Sequence, residues 1–141
     1  MSSNFYDVII IGAGPAGSYA AFELASSGHS VAVLEQKSEA GIDVCCTGIV
    51  STECFDSFGI SPEVIVNRIN SAKIISPSGK YLKLISEKVQ AYVIDRAAFE
   101  QAIAHKAQAK GTEYLFSSHV SDISIGKAEV QVEATCRGSR E

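Results

Sequence analysis

The sequence predicts an α/β fold built on a parallel sheet, and three features of residues 5–36 support this. A strand is predicted over residues 6–11, whose unbroken apolar run Val8–Ile11 is typical of a strand buried on both faces of such a sheet. Glycines at positions 12 and 14 precede a segment with small and apolar residues at helical spacing, which stops at Gly28. A second apolar run over residues 30–35 completes a strand–helix–strand unit of about thirty residues, the size of a βαβ unit.

Length and composition limit the class of protein. The 141 residues suffice for one domain or two, and 46% apolar with 20% charged residues excludes wholesale disorder. The net charge of −4 without a Lys/Arg cluster argues against a nucleic-acid partner. The longest apolar run is far shorter than the ~20 residues that span a bilayer. Residues 1–7 lack the basic start of a signal peptide, so we expect a cytoplasmic protein without a transmembrane segment.

The rest of the chain is predicted to extend this core within one domain over residues 1–141. An antiparallel insertion is expected at about 69–94, followed by a helix over 96–110 that Asp95 caps. A short parallel strand at 113–116 and the start of a β-meander over 118–136 come next. Residues 137–141 have turn composition and invite a further strand, so we expect a C-terminally truncated fragment of a longer protein.

The turn between the first strand and helix carries the main functional motif. Residues 12–17 read Gly-Ala-Gly-Pro-Ala-Gly, a G-x-G-x-x-G that follows a predicted strand and opens a predicted helix. Gly14 lets a pyrophosphate approach the backbone, and Gly17 lets the helix pack closely on the strand. Pro15 suits the first helical position, where a missing N–H costs nothing. The helix N-terminus, which includes Ala16, would stabilise the phosphates, as in Rossmann-type dinucleotide sites.

Glu35 is the predicted ribose-binding acid of this site. It ends the second strand, 23 positions after Gly12, close to the ~20 expected for a dinucleotide fold. Its two oxygens accept both ribose hydroxyls, and its charge repels a 2′-phosphate, which disfavours NADP. Glycine spacing does not distinguish FAD from NAD.

Three stretches resemble known flavoproteins. Residues 7–18 (DVIIIGAGPAGS) look like the start of two-dinucleotide-binding-domain flavoproteins, which implies FAD. Residues 41–50 (GIDVCCTGIV) resemble the cysteine-containing loop of the geranylgeranyl reductase family, and residues 94–100 (IDRAAFE) resemble its helix start. The resemblance covers the chain as the N-terminal FAD-binding part of such an enzyme. It implies the FAD/NAD(P)-binding fold in its para-hydroxybenzoate-hydroxylase-like form.

The resemblance also implies a set of cofactor-binding residues. With those of the glycine-rich turn, the FAD contacts are expected at Glu35, Gln36, Cys46, Thr47, Gly48, Arg96 and Val120. The family's cysteine is either Cys45 or Cys46, because spacing from Gly41 favours Cys46 and spacing back from Gly48 favours Cys45. No catalytic residue is assigned. The four cysteines form no C-x-x-C pair and have no histidine partner near Cys45 and Cys46, so no metal site is expected.

The function implied is FAD-dependent reduction of isoprenoid carbon–carbon double bonds by hydride transfer from reduced flavin. The resemblance implies that the complete enzyme adds a substrate domain, a second FAD segment and a C-terminal part that can make peripheral membrane contact. The electron donor is left open, and the fragment by itself is expected to be inactive. One alternative is an FAD-dependent aromatic monooxygenase of the same superfamily. Another is a non-catalytic dinucleotide-binding module.

Overall fold

The computed structural model describes residues 4–136, so the turn residues expected at 137–141 lie outside the described part. The chain divides into two compact units, one formed by residues up to Asp43 together with those from Glu100 onward, and one formed by Val44–Phe99. The helices and strands are, in order, β1 (Val8–Ile11), α1 (Pro15–Ser26), β2 (Val31–Leu34), β3 (Ile49–Ser51), α2 (Thr52–Ser57), β4 (Ile65–Ile69), β5 (Ser71–Ile75), β6 (Tyr81–Ile85), β7 (Ala91–Ile94), α3 (Arg96–Gln108), β8 (Glu113–Leu115), β9 (Ser118–Ile125) and β10 (Val130–Cys136).

The first unit contains a three-stranded parallel sheet in the order β1–β2–β8, which confirms the predicted α/β class. All four residues of the central strand β2 are buried, as its unbroken apolar sequence predicts. Val31 and Val33 share a core cluster with Ala21 of α1 and Ala107 of α3. The small alanines at these helix positions let the helices lie close to the sheet.

The two helices of the sequence prediction begin where expected and end slightly earlier. Pro15 occupies the first turn of α1, and the helix ends at Ser26 with Gly28 just beyond it at φ +92°. The predicted helix 96–110 is α3, whose start is capped by the Asp95 carboxylate accepting from the N–H of Ala98 at 3.1 Å.

The antiparallel hairpin β9–β10 completes the first unit. The strand β9 begins at Ser118, immediately after β8 and a turn at Ser117 with φ +55°. The register shifts between Glu133 and Ala134 of β10, where Ser121 of β9 is the extra residue of a bulge. Val120 lies within β9, near its start.

The second unit has two antiparallel sheets, β3–β7–β4 and the hairpin β5–β6. The antiparallel strands extend beyond the predicted 69–94, since β3 and β4 precede that range. Residues 49–51 form the short strand β3, and the polar Asn67 and Arg68 interrupt the apolar pattern by which β4 could have been predicted. The core is aromatic, with Phe55 against Tyr92 at 5.3 Å and Phe58 against Phe99 at 5.2 Å between ring centroids.

No helix among residues 4–136 is both long enough and apolar enough to cross a bilayer.

Candidate functional site

The glycine-rich turn after β1 leaves a backbone surface open. Gly14 caps the N-terminus of α1 in an extended conformation (φ −67°, ψ 176°). A Cβ built on Gly14 would meet no atom within 4 Å, so its open side can admit a ligand closely. The first N–H groups of a helix have no partners within the helix and attract anions. The turn therefore offers a binding surface for a phosphate group.

Gly17 has the packing role predicted for it. A Cβ at this position would overlap the carbonyl oxygen of Gly12 and would lie 3.3 Å from a methyl group of Ile10. The absence of a side chain thus allows α1 to pass directly over the end of β1. The next residue, the fully buried Ser18, donates its hydroxyl to the carbonyl of Ala13 at 3.1 Å and joins the helix to the turn.

The Glu35 carboxylate lies at the exit of β2 and is bonded to two backbone groups. One oxygen accepts from the N–H of Ala13 at 2.8 Å, and the other accepts from the N–H of Lys37 at 2.9 Å. A carboxylate has about four acceptor positions, so each oxygen keeps one for a ligand hydroxyl. Glu35 can therefore bind a diol while it holds the glycine-rich turn in place.

A cleft of about 240 Å³ lies beside this carboxylate, at the carboxyl ends of β1 and β2. Ligands of open α/β sheets bind at this end of the strands. The lining residues come from β1, β2, the turns that follow them and the start of β9: Ile11, Gly12, Leu34, Glu35, Gln36, Ser118, His119 and Val120. The cleft brings together four residues predicted from sequence: Gly12, Glu35, Gln36 and Val120.

Ser118 and His119 line the same cleft and were not predicted. They reach it because the N–H of Ser118 donates to the carbonyl of Glu35 at 2.8 Å, which joins the start of β9 to the end of β2. This contact links positions far apart in the chain, and only their adjacency to Val120 in sequence could have signalled it.

The remaining predicted residues lie in the second unit, around the loop before β3. Gly48 has φ +71°, and a Cβ there would lie 2.5 Å from the carbonyl oxygen of Ile94. Its own carbonyl accepts from the N–H of Ile94 at 2.9 Å. The loop is thus held against the end of β7, directly before Arg96.

Cys46 lies in an environment that favours its thiolate. The N–H of Gly48 donates to the thiol, and the nearby Arg96 guanidinium adds a positive charge, so the pKa of Cys46 lies below its ordinary value. Arg96 lies in the first turn of α3, where its charge opposes the helix dipole and is suited to an anionic partner. The structure therefore brings Cys46, Gly48 and Arg96 together, and Thr47 lies between the first two in the chain.

Both cysteines of the 45–46 pair are exposed, as are Cys54 and Cys136, and all four are free thiols. Within the described range, no group of three or more His, Cys, Asp or Glu side chains could hold a metal ion.

Several proteins of known name are similar to this chain. The digeranylgeranylglycerophospholipid reductase of Methanococcus vannielii is 32% identical over 120 residues, which is 84% of this chain and 30% of that protein. Digeranylgeranylglycerophospholipid reductase 1 of Methanosphaera stadtmanae is 36% identical over 121 residues, 83% of this chain and 30% of the relative. The chain therefore spans about 30% of the length of these curated relatives. The resemblance to geranylgeranyl reductases is confirmed by these names.

The fold of this chain is similar to that of solved structures. A geranylgeranyl bacteriochlorophyll reductase-like protein from Thermoplasma acidophilum superposes with a TM-score of 0.84 at 27% identity, over 95% of this chain and 36% of that chain. A triple mutant of the flavin-dependent brominase Bmp2 has a TM-score of 0.75 at 23% identity, over 95% of this chain and 35% of its own, and shares the fold alone. The sequence profile named pyridine nucleotide-disulphide oxidoreductase matches residues 6–141, and the chain accordingly belongs to this family.

Proposed function

We propose that this chain binds FAD and forms the nucleotide-binding part of a reductase that saturates isoprenoid carbon–carbon double bonds. The observation that carries the proposal is the position of Glu35, whose carboxylate contacts the glycine-rich turn and lines the cleft at once. The isoprenoid substrate class is supported by relatives named digeranylgeranylglycerophospholipid reductase.

The residues present fit the ADP half of FAD. The open side of Gly14, with the backbone of Pro15 and Ala16 at the start of α1, would receive the pyrophosphate. Glu35 would accept the ribose hydroxyls at its two remaining acceptor positions. Gln36 and Val120 line the same cleft and would contact the adenosine.

The loop before β3, in the second unit, has binding groups of its own. Arg96 supplies a positive charge for an anionic group. The N–H groups of Thr47 and Gly48 already donate to the Cys46 thiol, so the groups left for a ligand are the Thr47 hydroxyl and the second lone pair of the Gly48 carbonyl. The lowered pKa of Cys46 means that its thiolate forms more readily than that of an ordinary cysteine. We assign these residues a binding role, and we assign none of them a catalytic role.

When bound, reduced FAD supplies a hydride to the substrate double bond. The contribution of this chain is to hold the nucleotide half in one orientation. The turn is already bonded to Glu35 in the structure, so a ligand does not have to order it, and such preorganisation favours binding. The electron donor that reduces the flavin is not assigned.

Calorimetric titration of the 141-residue chain tests the binding proposal. FAD and ADP are expected to bind with similar affinity, because the assigned contacts of the first unit are all to the ADP half. NADP⁺ is expected to bind more weakly than either, because its 2′-phosphate would be repelled by the Glu35 carboxylate. Absence of binding by both FAD and ADP would overturn the proposal.

The reaction is tested in the protein that carries this sequence at its full natural length. Its flavin is reduced under nitrogen and a digeranylgeranylglycerophospholipid is added. Flavin reoxidation with a two-hydrogen gain in lipid mass per double bond supports the reductase. Reoxidation that requires oxygen and yields a hydroxylated product contradicts it and indicates a monooxygenase.

A further inference from the structure

Two successive peptide groups of the glycine-rich turn are held by different side chains. The first group joins Gly12 to Ala13, and its N–H donates to the Glu35 carboxylate at 2.8 Å. The second group joins Ala13 to Gly14, and its carbonyl accepts from the Ser18 hydroxyl at 3.1 Å. Each of the two peptide planes therefore has one side chain that sets its orientation.

The direction of the Gly14 N–H follows from the bond that Ser18 makes. No cis peptide bond occurs in the described part of the chain, so the Ala13 carbonyl and the Gly14 N–H lie in one plane and point in opposite directions. The carbonyl points to Ser18, which is fully buried. The Gly14 N–H consequently points away from this buried side.

A phosphate group depends on this N–H more than on an ordinary backbone donor. Pro15 follows Gly14 and has no N–H, so the next donors of the helix N-terminus come from Ala16 and Gly17. A Cβ built on Gly14 would meet no atom within 4 Å, so a phosphate can approach the backbone there. The orientation of the Gly14 N–H is thus decisive for how well the turn binds an anion.

The first peptide plane is held independently of Ser18. The Ala13 N–H points to Glu35, so the Gly12 carbonyl points the opposite way, toward α1. Its oxygen lies so close to Gly17 that an added Cβ on that residue would overlap it. Loss of the Ser18 hydroxyl would therefore free the second plane and leave the first plane, with its bond to Glu35, in place.

The surroundings of Ser18 favour its bond to the Ala13 carbonyl. The Ser18 N–H donates to the carbonyl of Gly14 at 2.9 Å, so this one residue binds two successive carbonyls of the turn. Tyr114 of β8 lies beside the Ser18 hydroxyl; burial raises the pKa of Tyr114, and the hydroxyl acts in the opposite direction. The phenol stays protonated at neutral pH, so no phenolate competes with the Ala13 carbonyl for the serine proton.

Ala13 is only 2% exposed, so its carbonyl has little access to water if the serine hydroxyl is removed. A buried carbonyl without a donor is costly, and rotation of the second peptide plane is the direct way to relieve that cost. The same rotation would turn the Gly14 N–H away from its open side. The hydroxyl of Ser18 is therefore coupled to the direction of a donor that it does not touch.

We propose that Ser18 is a positioning residue of the nucleotide site, which holds the Ala13 carbonyl and thereby directs the Gly14 N–H at the pyrophosphate. Ser18 itself is buried beneath the turn and does not contact the nucleotide. This role rests on the proposed binding of a dinucleotide. It concerns the phosphates alone, whereas Glu35 is proposed to bind the ribose.

Titration of the 141-residue chain with ADP and with adenosine separates this role from a general effect on stability. Both ligands carry the ribose hydroxyls, and only ADP carries the two phosphates. Ser18→Ala is expected to raise the dissociation constant of ADP about tenfold, the usual effect of one hydrogen bond to a charged group. It is expected to leave the dissociation constant of adenosine unchanged.

Thr112→Val is the matched control. Thr112 is 5% exposed, and its hydroxyl donates to another α1 carbonyl, that of Ala21, at 3.4 Å. The variant removes a buried bond of the same type away from the turn, so it is expected to lower the free energy of unfolding in urea and to leave both affinities unchanged. A Ser18→Ala chain that loses ADP and adenosine affinity equally, or a Thr112→Val chain that loses as much ADP affinity as Ser18→Ala, would overturn the positioning role. In either case ADP binding by the wild type would leave the proposed function standing, whereas a wild type that binds no ADP would overturn both.

Nuclear magnetic resonance of the isotope-labelled chain gives a measurement that needs no variant to fold. In the wild type, ADP is expected to move the Gly14 amide proton downfield, because that N–H gains a charged acceptor, and adenosine is expected to leave it in place. Ser18→Ala is expected to remove most of the ADP-induced movement, and Thr112→Val to retain it. A Gly14 amide that does not respond while the wild type binds ADP would overturn the positioning role.

Discussion

The carboxylate of Glu35 accepts a hydrogen bond from the backbone N–H of Ala13 at 2.8 Å, across 22 positions of sequence. The acid at the end of β2 thereby holds the glycine-rich turn that follows β1. Its other oxygen accepts from the N–H of Lys37, which fixes the carboxylate from the opposite side. Glu35 is therefore a structural support of the turn as well as the proposed ribose-binding group.

Replacement of Glu35 by Gln tests this double role. The amide has one acceptor oxygen and an NH₂ group, so one of the two backbone N–H groups would face a donor. We expect ADP binding and the free energy of unfolding each to fall by about 1–3 kcal/mol, as measured by calorimetry and urea denaturation.

Glu39→Gln is the matched control for this variant, because Glu39 is an exposed glutamate four positions later. It is expected to leave both quantities nearly unchanged. A Glu35→Gln variant with wild-type stability would contradict the structural role, and one with wild-type ADP affinity would contradict the ribose role.

Gly17→Ala is expected to damage the fold. The added Cβ would overlap the carbonyl oxygen of Gly12, so α1 would have to move away from the end of β1. Overpacking of this kind lowers the free energy of unfolding by about 1–3 kcal/mol, which urea denaturation would detect. An unchanged unfolding midpoint would show that the helix does not lie this close to the strand.

Gly14→Ala is expected to spare the fold and impair binding. Its φ of −67° suits any residue, and its Cβ meets no atom within 4 Å, so the stability change is expected to stay below about 1 kcal/mol. The methyl group would intrude where the pyrophosphate is proposed to lie and weaken ADP binding by about 1–3 kcal/mol. Wild-type ADP affinity in this variant would place the pyrophosphate elsewhere.

The sequence predicted the α/β class and the glycine-rich turn because both depend on local patterns. The apolar run of β2 and the spacing from Gly12 to Gly17 are read directly from neighbouring residues. Ser118 and His119 were missed because they reach the cleft through a bond between the start of β9 and the carbonyl of Glu35, which no local pattern encodes. The structural role of Glu35 was missed for the same reason.

Asp7 gives the fold a pH dependence at the start of β1. Its carboxylate accepts from the N–H of Ser30 at 2.8 Å and from the Ser30 hydroxyl at 2.9 Å, and these bonds lower the pKa of Asp7. A lowered pKa in the folded state means that the stabilisation is present above about pH 4 and is lost as the pH falls through the lowered value.

Asp7→Asn is therefore expected to be less stable than the wild type at pH 7, with a difference that shrinks on acidification to pH 3. Thermal unfolding at a series of pH values measures this difference. Ser30→Ala is expected to reproduce only part of the effect, because the N–H of residue 30 still donates to the Asp7 carboxylate. Ser57→Ala removes a hydroxyl from another exposed serine and is expected to show no such effect. A difference that stays constant from pH 7 to pH 3 would contradict the role of the charged carboxylate.

The lowered pKa of Cys46 predicts a reactive thiol. The N–H of Gly48, and after it the Arg96 guanidinium, stabilise the thiolate, which is the form that alkylating reagents attack. In a Cys45→Ser background, the rate of Cys46 alkylation by iodoacetamide is expected to rise with pH. The midpoint of this rise is expected at a lower pH in the folded chain than in the chain unfolded by urea.

Arg96→Gln is expected to raise the midpoint of the folded chain only in part, because the Gly48 N–H remains. Arg68→Gln removes a positive charge elsewhere in the second unit and is expected to leave the folded midpoint unchanged. Identical midpoints in the folded and unfolded chains would show that neither group acts on the sulfur, and equal shifts in the two arginine variants would assign the effect to net charge instead of contact.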